Sequence, residues 1–541
     1  MNIEQVFGPD NIRFYREKRI WADETFADLL HKLVKSDPER EAITDGRTRL
    51  TYRELDDGIN KVAALLRRHG LDKGDFIAVQ IPNWIEFVLI YFAIERIGAI
   101  GIPISVDFRS REVEYVLRTA NCRGLICCRS FKNFDHLEMI NKLRPSLPHL
   151  TFIGVVRGSR DGNSDAVEID EALSATSSPN DFVPVATNPD DIMRMMFTSG
   201  TTGNPKGVTH NHNTSLWPAR MLNKDMDLGS DEVMLLYLPL ALNWGYLTVL
   251  QTVMAGCRLV LMENFDARKA LEIIETEKVT YIPTAPAAIV ALLNAPNQEK
   301  YDLSSLRTVI TGGTSCPVEL VRKFQRRLDG NLIELYGMLE CGGYHTYTRR
   351  EDDPESVAGS VGKPGTEMKL RICSTGGSTP VTDGEVGEIQ SAGPSIQLGY
   401  FGDEDANAKS YTDDGWFRSG DLGMIDPDGN LRIVGRLKEM INRGGKKYYP
   451  REVEEILYTH PKILHAAIIG LPDERLGESN CLCVVAKNDQ QKPTLKELVD
   501  FLKDTIATYK LPERLEFFDE LPFTPTGKIQ RHVLMELVQS R

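Results

Sequence analysis

Cysteine is scarce in this chain: nine among 541 residues, none in a C-x-x-C pair. The adjacent Cys127 and Cys128, and the pair Cys481 and Cys483, lack zinc-ligand spacing. An odd and sparse set reads as reduced core thiols of a cytoplasmic protein rather than as a disulfide framework. Positive charge is also short, with a formal net charge of -13 and a pI of about 5.4. Such a chain is no partner for nucleic acid or an anionic membrane through its overall field, although a local basic site for a phosphate-bearing small molecule stays compatible with it. Between Met1 and Asn11 no basic segment leads into an apolar run, so no secretory signal is expected there. Long apolar runs are missing too. The most apolar stretch, Trp84 to Ile104, is interrupted by Glu86, Glu95 and Arg96 and broken later by Gly and Pro. It is too short and too charged for a membrane span and reads as a buried helix followed by a buried strand.

What is present is an ordinary globular balance, 41% hydrophobic and 26% charged, which excludes extended disorder and fibrous repeats. The length suits about three or four domain-sized units. Leu50 to Tyr52 leads into an amphipathic run from Glu54 to His69. Phe76 to Ile81 is a short strand, a helix then ends near Gly98, and Ile100 to Ile104 is another strand. Repeated β-then-α units predict parallel sheets covered by helices. The Ser-, Asp- and Gly-rich stretch from Arg157 to Asn180 reads as an exposed surface excursion. A boundary is expected at Gly435–Arg436. Beyond it the pattern is βαβ-like, with a helix over Pro450–Thr459, strands over Ala466–Gly470 and Cys481–Ala486, and a helix over Leu495–Thr505. From Arg436 onward 17 Lys and Arg face 16 Asp and Glu, so the acidic excess lies wholly in the body.

One segment carries the chemistry. After an apolar strand, Ile192 to Phe197, comes Thr198-Ser199-Gly200-Thr201-Thr202-Gly203-Asn204-Pro205-Lys206-Gly207. Its glycines let backbone N–H groups turn toward an anion, its hydroxyls add donors and Lys206 adds charge. The Walker pattern does not fit, because Asn204-Pro205 separates Gly203 from Lys206. Loop composition alone leaves a flexible Gly/Thr connection equally open. His210-Asn211-His212 lacks a third ligand at metal spacing and reads as structural.

The string TSGTTGNPKG closely resembles the phosphate loop of the adenylate-forming enzymes, the superfamily of acyl-CoA synthetases, non-ribosomal adenylation domains and luciferases. Tyr336-Gly337-Met338-Leu339-Glu340, Gly415-Trp416-Phe417-Arg418-Ser419-Gly420-Asp421, Gly435-Arg436-Leu437-Lys438-Glu439, Arg443-Gly444-Gly445 and Pro525-Thr526-Gly527-Lys528 resemble later blocks in the same order, so the likeness runs from Thr51 to Lys528. It implies an α/β and α+β fold: a large N-terminal adenylation domain of several subdomains (1–435), with parallel sheets and helices, and a small mobile C-terminal α+β domain (436–541). It also implies a ligase that uses ATP, magnesium and CoA to turn a carboxylic acid into an acyl-adenylate and then a thioester.

The same resemblance assigns roles. Thr198, Ser199, Gly200, Thr201, Thr202, Gly203 and Lys206 hold the ATP phosphates. Tyr336, with Gly337, stacks on adenine, Glu340 reaches magnesium, Asp421 takes the ribose hydroxyls and Arg436 the ribose or phosphate. Lys528 bridges the substrate carboxylate and the α-phosphate. Lys438 is the hinge, and Gly444 and Gly445 line the pantetheine passage, with Lys446 near the extra phosphate of CoA. Leu339 stands where the family has Thr. Pro239 to Trp244 resembles a block of the aryl-acid branch, with Leu242 in place of His, and Tyr347 to Pro354 resembles that branch's downstream segment. These features make Asn243 and Trp244, with the turn Gly312, Gly313 and Thr314, the acyl pocket. Leu242 renders it less polar and suits a hydrophobic ring, aromatic or alicyclic. A stand-alone enzyme that loads a carrier protein stays open as the alternative acceptor chemistry, as does a homodimer.

Overall fold

The computed structural model describes residues 3–159, 165–175, 185–198, 205–313, 316, 318–328, 330–523 and 529–541. Two sheets dominate the body. Among the described residues, one runs in the order Gly399–Tyr400, Gly207–Asn211, Ile192–Phe197, Ile100–Pro103, Phe76–Gln80, Gly124–Cys128, Phe152–Val156, Val167–Glu168. The other is centred on the parallel strands Asn331–Tyr336, Thr308–Gly312, Tyr281–Thr284, Val233–Leu236, Arg258–Leu261 and Glu41–Thr44. Both are parallel in their interiors and antiparallel at the edges that approach the site.

Helices fill the space between them. Tyr52–Arg68 starts at a capping box in which Thr51 accepts from Glu54 N–H while the Glu54 side chain accepts from Thr51 N–H. Ile85–Arg96 follows, apolar almost all round and buried on nearly every side, as a helix enclosed by other elements must be. The stretch Trp84 to Ile104 is thus the buried helix and strand that its composition implied. His212–Asp225 and Asn243–Ala255 join the same apolar cluster. Among the described residues no helix is long and apolar enough to cross a membrane.

The stretch from Arg157 departs from the expected excursion. Arg157 pairs with Asp45 at 2.6 Å and Glu86 at 2.7 Å and lies 4.2 Å over the ring of Trp84. Val167–Glu168 extends the sheet in parallel with Gly154 and Val155. Ile169 is fully buried at the start of helix Ile169–Ser174. A few apolar side chains and one ion-paired arginine outweigh a polar surrounding composition. Residues 160–164 and 176–184 lie outside the described residues.

A four-stranded sheet, Lys369–Cys373, Gly387–Ala392, Phe417–Ile425 and Leu431–Arg436, ends the body. After the single turn Leu437–Glu439 the chain enters a separate sheet built on Ile441–Arg443, Lys446–Tyr448, Ile463–Asp473, Gly477–Ala486 and Arg514–Phe517. This small C-terminal domain has its own apolar clusters on the two faces of that sheet. The predicted strands are longer than expected and pair with each other as an antiparallel hairpin. The βαβ unit lies one strand later, where Gly477–Ala486 pairs in parallel with Arg514–Phe517 across helix Leu495–Leu502. Arg531, on the last helix, ties the domain to the turn by bonding Glu439 at 3.1 Å and Glu454 at 2.7 Å.

Candidate active site

The phosphate loop spans the end of a hairpin. Ile192–Phe197 and Gly207–Asn211 are antiparallel neighbours, with Phe197 opposite Gly207. Thr198 N–H donates to Lys206 O at 3.0 Å, and Lys206 N–H donates to Thr198 Oγ1 at 3.1 Å. The two ends of the loop are therefore pinned together. Ser199, Gly200, Thr201, Thr202 and Gly203, like Thr314 and Lys528, lie outside the described residues.

Lys206 Nζ sits 4.6 Å from the centre of the Tyr400 ring, a cation–π contact. On its other side the Tyr400 hydroxyl donates to Glu340 Oε1 at 3.0 Å. Tyr400 thus joins the lysine to the carboxylate, and no local motif marks it. It arrives because Gly399–Tyr400 pairs with Gly207–Asn211, nearly two hundred residues earlier.

The segment that bears Glu340 is braced from behind. His210 Nε2 lies 2.8 Å from Leu339 O, and Nδ1 lies 3.1 Å from Thr214 Oγ1. A carbonyl only accepts, so Nε2 carries the hydrogen and Nδ1 accepts from the threonine. Burial, with the charge of Arg194 nearby, holds the His210 pKa well below its usual value. A neutral, fully bonded imidazole fits the structural role that the sequence suggested. Glu340 O also accepts from Gln397 N–H at 2.8 Å. Gly337 is obligatory on geometric grounds, since a Cβ there would stand 1.5 Å from Gly343 O.

Asp421 forms the second half of the cluster. It is opposite Arg436 across two antiparallel strands, and Arg436 Nε meets Asp421 Oδ1 at 3.2 Å. The Tyr336 hydroxyl donates to Asp421 Oδ2 at 2.8 Å. Both carboxylate oxygens are thereby engaged. The charge of Asp421 raises the Arg436 pKa, with Glu439, Tyr336 and Glu340 also contributing against desolvation. Burial first, then Asp421, holds the Tyr336 phenol well above its usual value. The structure thus gathers Lys206, Tyr336, Glu340, Asp421 and Arg436 from separate segments around one charged centre. A side-chain carboxylate such as Glu340 beside a phosphate loop is the hard oxygen donor that Mg²⁺ takes alongside nucleotide phosphates.

Asn243 and Trp244 begin the helix Asn243–Ala255, both half-buried. Asn243 Nδ2 packs closely on Gly343, where an added Cβ would lie 2.5 Å from it. Gly312 closes its strand beneath Leu335, whose carbonyl would be 2.5 Å from a Cβ, and Gly313 turns with φ +86°. The remaining glycines have a local cause. Gly444 (φ +60°) and Gly445 (φ +83°) form the two-residue connection between Arg443 and Lys446. That is a tight hairpin turn in which both residues need positive φ. Lys446 Nζ lies 5.2 Å from the centre of the Tyr509 ring, and Gly444 N–H donates to Leu476 O at 2.7 Å, so these contacts fall within the small domain. Lys438 lies in the turn Leu437–Glu439.

The sequence profile of AMP-binding enzymes matches residues 30–401, and that of the AMP-binding enzyme C-terminal domain matches residues 452–528. The medium-chain fatty-acid–CoA ligase of Escherichia coli is 31% identical over 544 residues, covering 100% of this chain and 95% of that protein. The 2,3-dihydroxybenzoate-AMP ligase of Bacillus subtilis is 31% identical, covering 98% and 97%. The crystal structure of the anthranilate CoA ligase AuaEII with anthranoyl-AMP superposes with a TM-score of 0.86 at 25% identity, covering 96% of this chain and 98% of that one. The chain belongs to the AMP-binding family of adenylate-forming enzymes. Within it, the protein is an AMP-forming acid:CoA ligase that works with ATP, magnesium and CoA.

Proposed function

We propose that one site carries two successive displacements on a carboxylic acid whose acyl part is cyclic, aromatic or alicyclic. In the first, a carboxylate oxygen bonds to the α-phosphorus of ATP as the bond to pyrophosphate breaks. In the second, the sulfur of CoA bonds to the acyl carbon as the bond to AMP breaks, and the thiol proton passes to solvent. Both steps crowd negative charge, so placed cations and donors matter more than acid–base groups. The observation that carries this reading is the convergence of Lys206 and Glu340 through Tyr400 with the Tyr336–Asp421–Arg436 triad.

Lys206 and the hydroxyls and N–H groups of residues 198–203 hold the phosphates. Tyr336 stacks on the base, and Asp421 exchanges its protein partners for the ribose hydroxyls. Glu340 holds magnesium, which neutralises phosphate charge when bound. Lys528 brings its ammonium to the reacting carboxylate. Asn243, Trp244, Gly312, Gly313 and Thr314 enclose the acid. The acyl preference rests on Leu242, which lowers the polarity of the pocket mouth.

The domain boundary falls at Gly435–Arg436, and Lys438 is the pivot. What supports this is the sole passage between the two sheets, the turn Leu437–Glu439. Gly444, Gly445 and Lys446 then serve the pantetheine arm when the small domain rotates. Proline at position 438 fixes φ and removes an N–H, so Lys438→Pro hinders rotation. The expected result is thioester formation slowed far more than acid-dependent ATP–pyrophosphate exchange. Loss confined to the exchange reaction removes the hinge from Lys438.

A further inference from the structure

Arg194 lies in the middle of the apolar strand Ile192–Phe197 and is fully buried, at 0% exposure. Its guanidinium is held on several sides. Nε donates to Ser215 Oγ at 3.0 Å, Nη1 donates to Asn243 Oδ1 at 2.6 Å, and the guanidinium carbon stands 4.5 Å from the centre of the Tyr246 ring. Nη2 is buried and has no partner among the described residues. No carboxylate among the described residues forms an ion pair with it. The carboxylate that acts on it electrostatically is Glu95, which accepts from the Tyr246 hydroxyl at 3.1 Å. Burial pushes Glu95 up to about 8, against the opposing effects of Tyr246 and Arg194.

An arginine has five donors and no acceptor. Asn243 must therefore turn Oδ1 toward Arg194, and its Nδ2 is left as a donor on the side of Gly343. Without that neighbour an asparagine amide is free to present either atom.

We infer that Arg194 is a positioning residue for acid binding: it locks Asn243 as a hydrogen-bond donor, so the site holds the acid through an acceptor oxygen there, either the carboxylate oxygen itself or an oxygen on the adjacent ring atom. This inference rests on the ligase reading above. Burying a charged group at this cost makes sense where it orients a ligand-facing partner that a neutral side chain leaves undetermined.

The test uses the full-length enzyme with saturating CoA. Wild type is first screened against benzoate, cyclohexanecarboxylate, tetrahydropyran-2-carboxylate and piperidine-2-carboxylate. If none of these releases pyrophosphate, the cyclic-acid reading fails and linear acids are screened, so that the Arg194 comparison is made with whichever acid is accepted. With an accepted acid, Arg194→Met and Arg194→Lys are compared for KM of the acid and KM of ATP, with thermal unfolding as a check on folding. Arg194→Met is expected to raise the acid KM about tenfold or more with the ATP KM little changed, and Arg194→Lys to recover part of it. A rise for every acid assigns the carboxylate as the acceptor. A rise restricted to the ring-oxygen acid, with piperidine-2-carboxylate gaining relative to it, assigns the neighbouring atom. An unchanged acid KM in a folded Arg194→Met variant, or equal rises for acid and ATP, overturns the inference. Asn243→Leu supplies a second arm: in its background Arg194→Met is expected to add nothing to the acid KM, and a further independent rise contradicts action through Asn243.

Discussion

Lys528→Ala is expected to abolish acyl-adenylate formation while sparing thioester formation from a supplied acyl-adenylate. Two anions, the substrate carboxylate and the α-phosphate, must approach within bonding distance in the first step. A single ammonium between them offsets that repulsion only while the phosphorus–oxygen bond is forming. Removing one such preorganised charge in an active site typically costs about 10²–10³ in rate. Once the adenylate exists, the thiol attacks a carbonyl carbon, and the ammonium has no second anion to bridge. The check is a pair of single-turnover assays, one from ATP and acid and one from synthetic acyl-adenylate and CoA. Equal loss in both contradicts the assignment of Lys528 to the first step.

Asp421→Ala is expected to raise the KM for ATP about tenfold to a hundredfold with the KM for the acid nearly unchanged. A hydrogen bond to a charged group contributes about 1.5–3 kcal/mol, and tenfold in affinity is about 1.4 kcal/mol. Losing one ribose contact accounts for the effect. The substitution has a second consequence, because Asp421 anchors both Arg436 and Tyr336. Arg436 would then face Glu340 and Glu439 without its first partner, and Tyr336 would lose the bond that orients its ring. Asp421→Asn separates these effects: it keeps one acceptor oxygen, enough for Tyr336, but replaces the other with an N–H donor and loses the ionic attraction to Arg436. An acid KM that rises as much as the ATP KM in either variant places Asp421 elsewhere in the reaction.

Contiguous chemistry was legible in the sequence, and chemistry assembled by strand register was not. The phosphate loop, the Tyr336–Glu340 block and the Gly415–Asp421 block each carry their residues within a few positions, so their resemblance to the family's blocks, in the same order, marks them. Tyr400 reaches Glu340 and Lys206 only because a two-residue edge strand pairs with Gly207–Asn211, and nothing near Tyr400 announces that pairing. Arg194 is concealed differently. It sits in a run that reads as an apolar strand, and its value depends on Asn243 and Ser215 meeting it from two helices. His210 was legible as structural, but its bond to the carbonyl of Leu339 required the fold. The polar stretch after Arg157 misled because composition averages over the few side chains, Val167 and Ile169 among them, that continue the sheet and its cover. Glycines divide the same way: Gly337 is fixed by a carbonyl that presses on it, whereas Gly444 and Gly445 satisfy a hairpin turn whatever else they do.

The most direct measurement is product identification across a panel of cyclic and linear carboxylic acids, each incubated with purified enzyme, ATP, Mg²⁺ and CoA. The predicted result is stoichiometric AMP, pyrophosphate and acyl-CoA, with cyclic acids turned over best. ADP and phosphate in place of AMP and pyrophosphate, or adenylate that accumulates without thioester at high CoA, would contradict it.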